Sequence, residues 1–357
     1  MSDITNAFRE RFQGLYIYFH DGLFSRFSMT SRALAQGFQA LGIPVYSNID
    51  APPLLRWQSI YEPQPLVYLF EVNDNTYSPA YMRTIQVYQG AVKLILCMSD
   101  NLQSYITPEE IPALMAHENR FINISGWRVP WAFGLSQQTI EATAGGLPFG
   151  QRRPVVLHNF RPSFNQGIRH VLDLALLPWL EQWLTVDRRL SDDDQQAVRY
   201  QDGQGDDEHG LRYQDHFDKL KQYQACLAYG GHFFPNLARS NCFKDYGPFK
   251  HYTFLQDPVV LRWDSFRFWE SLAAGCLTLH LDFDRYGFLL PQMPVAWQHY
   301  LPVDLSDPKG SVAAIIDQQH RLADIAAAGQ QWALTHYRPQ AVAQRLIDLV
   351  MTQCLCK

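Results

Sequence analysis

The sequence predicts an α/β fold in two domains, each built on an open sheet, with the last helix returning to the first domain. Three observations carry that expectation. Short apolar runs alternate with stretches of helical period up to about residue 130, and again from residue 155. A segment holding Gly134, Gly145, Gly146, Pro148 and Gly150 separates the two series. The chain has 357 residues, 47% hydrophobic and 18% charged, which is material for two cores.

The elements follow in order. Residues 15–20, Leu-Tyr-Ile-Tyr-Phe-His, read as a strand with His20, Asp21 and Gly22 at its carboxyl end. Residues 28–31 cap an amphipathic helix over 32–41 that Gly42 closes, and 43–47 is the next strand. Strands are expected over 66–70, 92–98 and 121–124, with helices over 79–89 and 108–118. Segment 133–153 reads as a linker, leaving 1–132 plus 339–357 as one domain and 154–338 as the other. The second domain opens with a strand at 155–157, a polar turn through Arg161, Asn165, Gln166 and Gly167, and a helix over 168–183. Residues 191–208 hold seven acidic residues and one arginine, the composition of a mobile acidic loop. A helix over 213–223 leads to a strand at 225–228, which ends on Tyr229, Gly230 and Gly231; glycines there allow close backbone approach. Residues 233–258 are irregular and rich in aromatics, 301–304 is strand-like, 310–336 is helical, and Pro339 opens a last amphipathic helix.

The segment from Arg262 to Asp282 is the most informative. Asp264 or Ser265 is placed to cap a helix, Phe268 and Leu272 share one face of it, and Gly275 stops it before an apolar strand over 277–281. Arg262, Ser265 and Arg267 gather at the helix start, where free N–H groups and the dipole favour an anion. Glu270, one turn on, is placed to accept hydrogen bonds from a sugar hydroxyl. A plainer role is open to the same residues, a solvated i,i+3 pair between Arg267 and Glu270. Asn165, Gln166 and Gly167 offer donors to a phosphate at another helix start, with Arg161 adding charge.

Glu270-Ser-Leu-Ala-Ala-Gly-Cys, followed by an apolar strand, resembles the nucleotide-sugar-binding segment of GT-B glycosyltransferases, where a Glu-x-x-Ala-x-Gly helix holds the nucleotide ribose. Ser265-Phe-Arg267, with Gly-Cys after it, is more similar to the exostosin-like and CgeB-like branches of these family 1-type donor-binding domains. Retaining members often carry another glutamate eight positions before the first, and here that position is Arg262. The resemblance implies two Rossmann-like domains facing a cleft, the N-terminal one taking the acceptor and the C-terminal one the nucleotide sugar. It implies a hexosyl- or pentosyltransferase whose donor-binding residues include Arg161, Asn165, Gln166, Gly167, Tyr229, Gly230, Arg262, Ser265, Arg267 and Glu270. An inverting reaction needs a base beside the acceptor hydroxyl, and His20 and Asp21 at a strand end are the candidates. The alternatives are a nucleotide-sugar epimerase of the same architecture and a non-catalytic sugar- or nucleotide-binding protein.

Other chemistry is absent. The chain has no H-E-x-x-H, no G-x-x-x-x-G-K-[ST], no G-x-S-x-G, no C-x-x-C and no G-x-G-x-x-G. Asp282-Phe-Asp284 has the D-x-D spacing of a divalent-metal motif but follows the core helix and strand, so metal-independent transfer without a cofactor is expected. The net charge of −5 and the lack of a Lys/Arg run argue against nucleic acid. The six cysteines make no disulfide framework; Cys97, Cys226 and Cys276 read as buried thiols, and Cys354 and Cys356 are too few ligands for a metal. With no apolar run long enough to span a membrane and no basic–apolar leader, a cytoplasmic protein is expected.

Overall fold

The computed structural model describes residues 3–18, 29–48, 55–56, 64–72, 90–97, 121–124, 130–132, 134–159, 167–188, 214–234, 259–261 and 263–355. They fall into two compact units, residues 1–137 with 335–357, and residues 138–334.

In the first unit, helix α1 (Asp3–Arg11) precedes strand β1 (Gly14–Tyr18), helix α2 (Met29–Ala40) and strands β2 (Val45–Ser47), β3 (Leu55–Arg56), β4 (Gln64–Val72), β5 (Gly90–Cys97) and β6 (Phe121–Ile124). The six strands form one sheet in the order β3-β2-β1-β4-β5-β6, parallel throughout. Strands that can be covered on both faces read as continuous apolar runs, which is why Leu15, Ile17, Val67, Leu69 and Leu94 are all fully buried. Gly42 takes φ 67°, the left-handed conformation that ends α2 without a side-chain penalty. The helices expected over 79–89 and 108–118 lie outside the described residues.

The second unit begins with helix α3 (Gln137–Thr143) and a 3-10 turn, Phe149–Gln151, so the glycine-rich segment carries structure where a plain linker was expected. Strand β7 (Arg153–His158), helices α4 (Gly167–Ala175) and α5 (Leu177–Leu180), strand β8 (Thr185–Arg188), helix α6 (Gln214–Gln222) and strands β9 (Tyr223–Leu227), β10 (His232–Phe234) and β11 (Val259–Leu261) follow. Next come helix α7 (Phe266–Ala273), strand β12 (Leu277–Leu281), helix α8 (Phe283–Tyr286), strand β13 (Leu301–Val303) and helices α9 (Pro308–Asp317) and α10 (Leu322–Tyr337); helix α11 (Pro339–Leu355) ends the chain in the first unit. The sheet order is β13-β12-β9-β7-β8, again parallel, while β10 and β11 pair antiparallel beside it in sequence.

Several expectations are corrected. The single helix over 168–183 is two, because Pro178 lacks the N–H that a continuous ladder needs. The single helix over 310–336 is interrupted by a 3-10 turn at Gln319–Arg321. Between strands β12 and β13, where the sequence reading places no helix, lies the one-turn α8, capped by Asp282 and closed by Gly287 at φ 65°. Helix α11, which Pro339 opens, belongs to the first unit and lays Val342, Leu346, Ile347 and Val350 into its core.

One buried cation organises the amino side of the second sheet. The Arg152 guanidinium donates to the carbonyls of Leu147 at 2.7 Å, Ala274 at 2.7 Å and Gly275 at 3.0 Å, and reaches Leu220 at 3.3 Å. The carbonyls that end α6 and α7 have no intrahelical partner, and their partial negative charge suits a cation. Five fixed N–H donors let one arginine serve both helix ends. Cys276 lies against the same group, its Sγ 3.6 Å from Arg152, and burial pushes its thiol up to about 12. Cys226 and Cys276 are both buried and free.

Candidate functional site

In the second sheet the chain moves outward from β7 to β8 and then returns to β9 on the other side of β7. Open α/β sheets bind ligands at such a reversal, beyond the carboxyl ends of the strands. Here those ends are His158 and Asn159 after β7, and Ala228 and Tyr229 after β9. Helices α6 and α7 each precede a parallel strand, so both start on this side of the sheet.

Ser265 caps α7: its side chain accepts from the Arg267 amide at 3.3 Å. Asp264, the other expected cap, instead accepts from the Trp269 indole at 2.7 Å, and both partners are buried. This fixes the first turn, from which Arg267 and Glu270 project together. Arg267 Nη1 donates to Glu270 Oε2 at 2.5 Å, and Arg267 Nε donates to the Asn159 carbonyl at 3.2 Å. His216, on α6, places Nε2 2.9 Å from the same Glu270 oxygen, and its Nδ1 is 2.9 Å from Asn159 Nδ2. Four residues from three places in the chain thus close a ring, with Asn159, His216 and Glu270 all buried.

The Arg267–Glu270 pair is therefore not a solvated surface pair. Burial alone would raise the Glu270 pKa, but the charge of Arg267, and then the hydrogen bond from His216, hold the carboxyl down at about 2. Among the described residues, no hydrogen bond reaches Glu270 Oε1 or leaves Arg267 Nη2. Among these residues, one carboxylate oxygen and one guanidinium nitrogen of the pair are left without a partner.

The other expected site residues are distributed as follows. Gly167 is the first residue of α4, and the next amide, Ile168, is engaged by the Gly231 carbonyl at 3.3 Å. Tyr229 is fully buried, and its carbonyl accepts from Arg169 Nε at 3.4 Å. Gly230 is buried beside it. Asp282 caps α8, accepting from the amides of Asp284 at 3.0 Å and Arg285 at 3.1 Å. His20, Asp21, Arg161, Asn165, Gln166 and Arg262 lie outside the described residues, as does the acidic segment 191–208. Among the described residues, no cluster of three or more His, Cys, Asp or Glu side chains is arranged to hold a metal, and no helix is long and apolar enough to cross a membrane.

His216 and Asn159 went unrecognised in the sequence. His216 lies 54 residues from its partner Glu270, in a helix whose pattern says only that it is amphipathic. The one available signal was position: a polar residue immediately after a buried strand, as Asn159 is, sits where ligands bind.

The two parallel sheets and their helices define the fold of the GT-B glycosyltransferases. The chain is similar to an alpha-glucosyltransferase solved with UDP and a 13-mer DNA containing an HMU base, with TM-score 0.54 and 7% identity, over 95% of this chain and 100% of that one. A glycosyltransferase from Rickettsia africae ESF-5 gives TM-score 0.45 and 8% identity, over 96% of this chain and 99% of that one. Anabaena HepE in complex with UDP gives TM-score 0.43 and 10% identity, over 95% of this chain and 100% of that one. No family model matches the sequence, and no curated protein does.

Proposed function

We propose that the chain is a glycosyltransferase that moves a hexosyl or pentosyl group from a nucleotide sugar to an acceptor, with the donor held by the second unit. The observation that supports this reading is the pair of buried Glu270 and half-buried Arg267, in which Glu270 Oε1 and Arg267 Nη2 have no partner among the described residues. Glu270 Oε1 would accept from a ribose hydroxyl. Arg267 Nη2 would meet the diphosphate, with Arg262, Arg161, Asn165, Gln166 and the Gly167 amide as further donors. The UDP of the similar alpha-glucosyltransferase makes uridine the first base to try.

The chemistry asks for little else on the donor side. The bond from the anomeric carbon to the diphosphate oxygen breaks, and negative charge grows on the departing diphosphate. Arginine charge stabilises it in the role a divalent ion fills elsewhere, so transfer is proposed to be metal-independent. In an inverting reaction the acceptor oxygen forms the new bond while a base takes its proton. His20 and Asp21 are proposed for that role because they come one residue after β1, the strand between β2 and β4 in the first sheet. An imidazole is a serviceable base near neutral pH.

A thermal-shift panel of UDP, GDP, ADP and their sugars tests the reading. A ligand at a hundred times its Kd stabilises the folded state by about 2.7 kcal/mol, a clear rise in melting temperature. With the matching donor and acceptor, transfer should survive EDTA, and replacing the true base among His20→Ala and Asp21→Asn should lower kcat roughly 10²–10⁴-fold while leaving diphosphate binding intact. No stabilisation by any nucleoside diphosphate would contradict the proposal.

A further inference from the structure

We infer that His216 and Asn159 are positioning residues that keep the Arg267–Glu270 pair from closing on itself, so that Glu270 Oε1 is held ready for the ribose hydroxyls. This rests on the reading of Glu270 as the ribose acceptor. An arginine and a carboxylate one helical turn apart, left alone, favour the bidentate arrangement in which two N–H groups meet two oxygens. That arrangement would consume both Oε1 and a second guanidinium nitrogen. Here it does not form. His216 Nε2, at 2.9 Å, and Arg267 Nη1, at 2.5 Å, both converge on Oε2. Arg267 Nε is drawn away to the Asn159 carbonyl at 3.2 Å.

The ring nitrogens of His216 fix the direction of the chain. Asn159 Nδ2 can only donate, so Nδ1, 2.9 Å away, accepts and Nε2 carries the proton toward Glu270. The imidazole is buried, at 1% exposure, and packs edge-on against Phe217, so it has no free rotation to spare. Turning the carboxylate would strand a buried N–H, which is expensive. A lone Arg267–Glu270 pair would need neither a buried imidazole on another helix nor an amide behind it.

The experiment compares UDP, GDP and ADP with their 2′,3′-dideoxy counterparts by titration calorimetry. Hydrogen bonds to a charged acceptor are worth roughly a 10- to 100-fold preference, so wild type should bind the ribonucleotide that much tighter. His216→Leu should lower that ratio to about 3-fold or less by weakening the ribonucleotide alone, since the lost bond is of the same class. His216→Gln, which restores an N–H donor, should recover most of it. Asn159→Ala keeps the backbone carbonyl but frees the imidazole; it should lower the ratio too, and reads the same quantity should His216→Leu not fold. A purely structural role would weaken both nucleotides equally and leave the ratio unchanged; an unchanged ratio in either folded variant overturns the inference. A wild-type protein that binds none of the diphosphates contradicts the proposed function itself, and the inference with it.

Discussion

His280 lies fully buried on β12 among Trp263, Phe268, Phe283, Phe288 and Tyr300, with Nδ1 bonded to the Leu281 carbonyl at 2.9 Å. Burial favours its neutral form and lowers its pKa from 6.5 to about 4. The sign follows directly. Between those values the unfolded chain binds a proton that the folded chain refuses, so stability is complete above pH 6.5 and falls as the pH drops toward 4. At roughly 1.4 kcal/mol per unit, the loss is on the order of 3 kcal/mol. Glu270 adds a lower window of the same sign, complete above pH 4.5 and lost toward about 2. Denaturant unfolding of wild type and His280→Phe at pH 7 and pH 4 should show the variant losing about 3 kcal/mol less on acidification; equal losses would contradict the assignment. At this scale the sequence was half legible. Ser265, Arg267 and Glu270 could be read because capping and i,i+3 spacing are local rules. His216 and Arg152 could not, because their partners are brought to them only by the sheet.

Helices α2 and α11 pack closely where α2 carries Gly37. A Cβ added at Gly37 would stand 2.0 Å from the Pro339 carbonyl oxygen and 2.7 Å from Ala343 Cβ. In an open helix Gly37→Ala would gain about 1 kcal/mol of propensity. Here overpacking against backbone should outweigh it, for a net loss of roughly 1–3 kcal/mol. A variant as stable as wild type in thermal melts would show that α11 does not seat against α2 in this way. Element existence was legible for apolar strands such as β1, β7 and β12 and for helices that end on glycine, as at Gly42 and Gly275, which has φ 70°, but the short pair β10 and β11 was not, although β11 is apolar. Strand β8 was not, because Thr-Val-Asp-Arg at a sheet edge buries too little to show a pattern. Helix breaks inside long periodic runs, at Leu176 and at Gln318, were hidden by the continuity of the period itself.

For the whole molecule, alternating apolar strands and amphipathic helices were enough to indicate two parallel sheets, since a βαβ crossover leaves few other arrangements. The position of the site also follows from topology, at the strand-order reversal beside β7. Which polar residues meet there is a tertiary fact, and it decides between a surface ion pair and a buried one. The most direct test is therefore a structure of the protein with bound UDP, or with whichever nucleoside diphosphate stabilises it most. Glu270 Oε1 should lie within about 3.2 Å of a ribose hydroxyl, and Arg267 Nη2 within hydrogen-bond reach of the diphosphate. A nucleotide bound with both side chains more than about 8 Å away, beyond any direct hydrogen bond, would contradict the account.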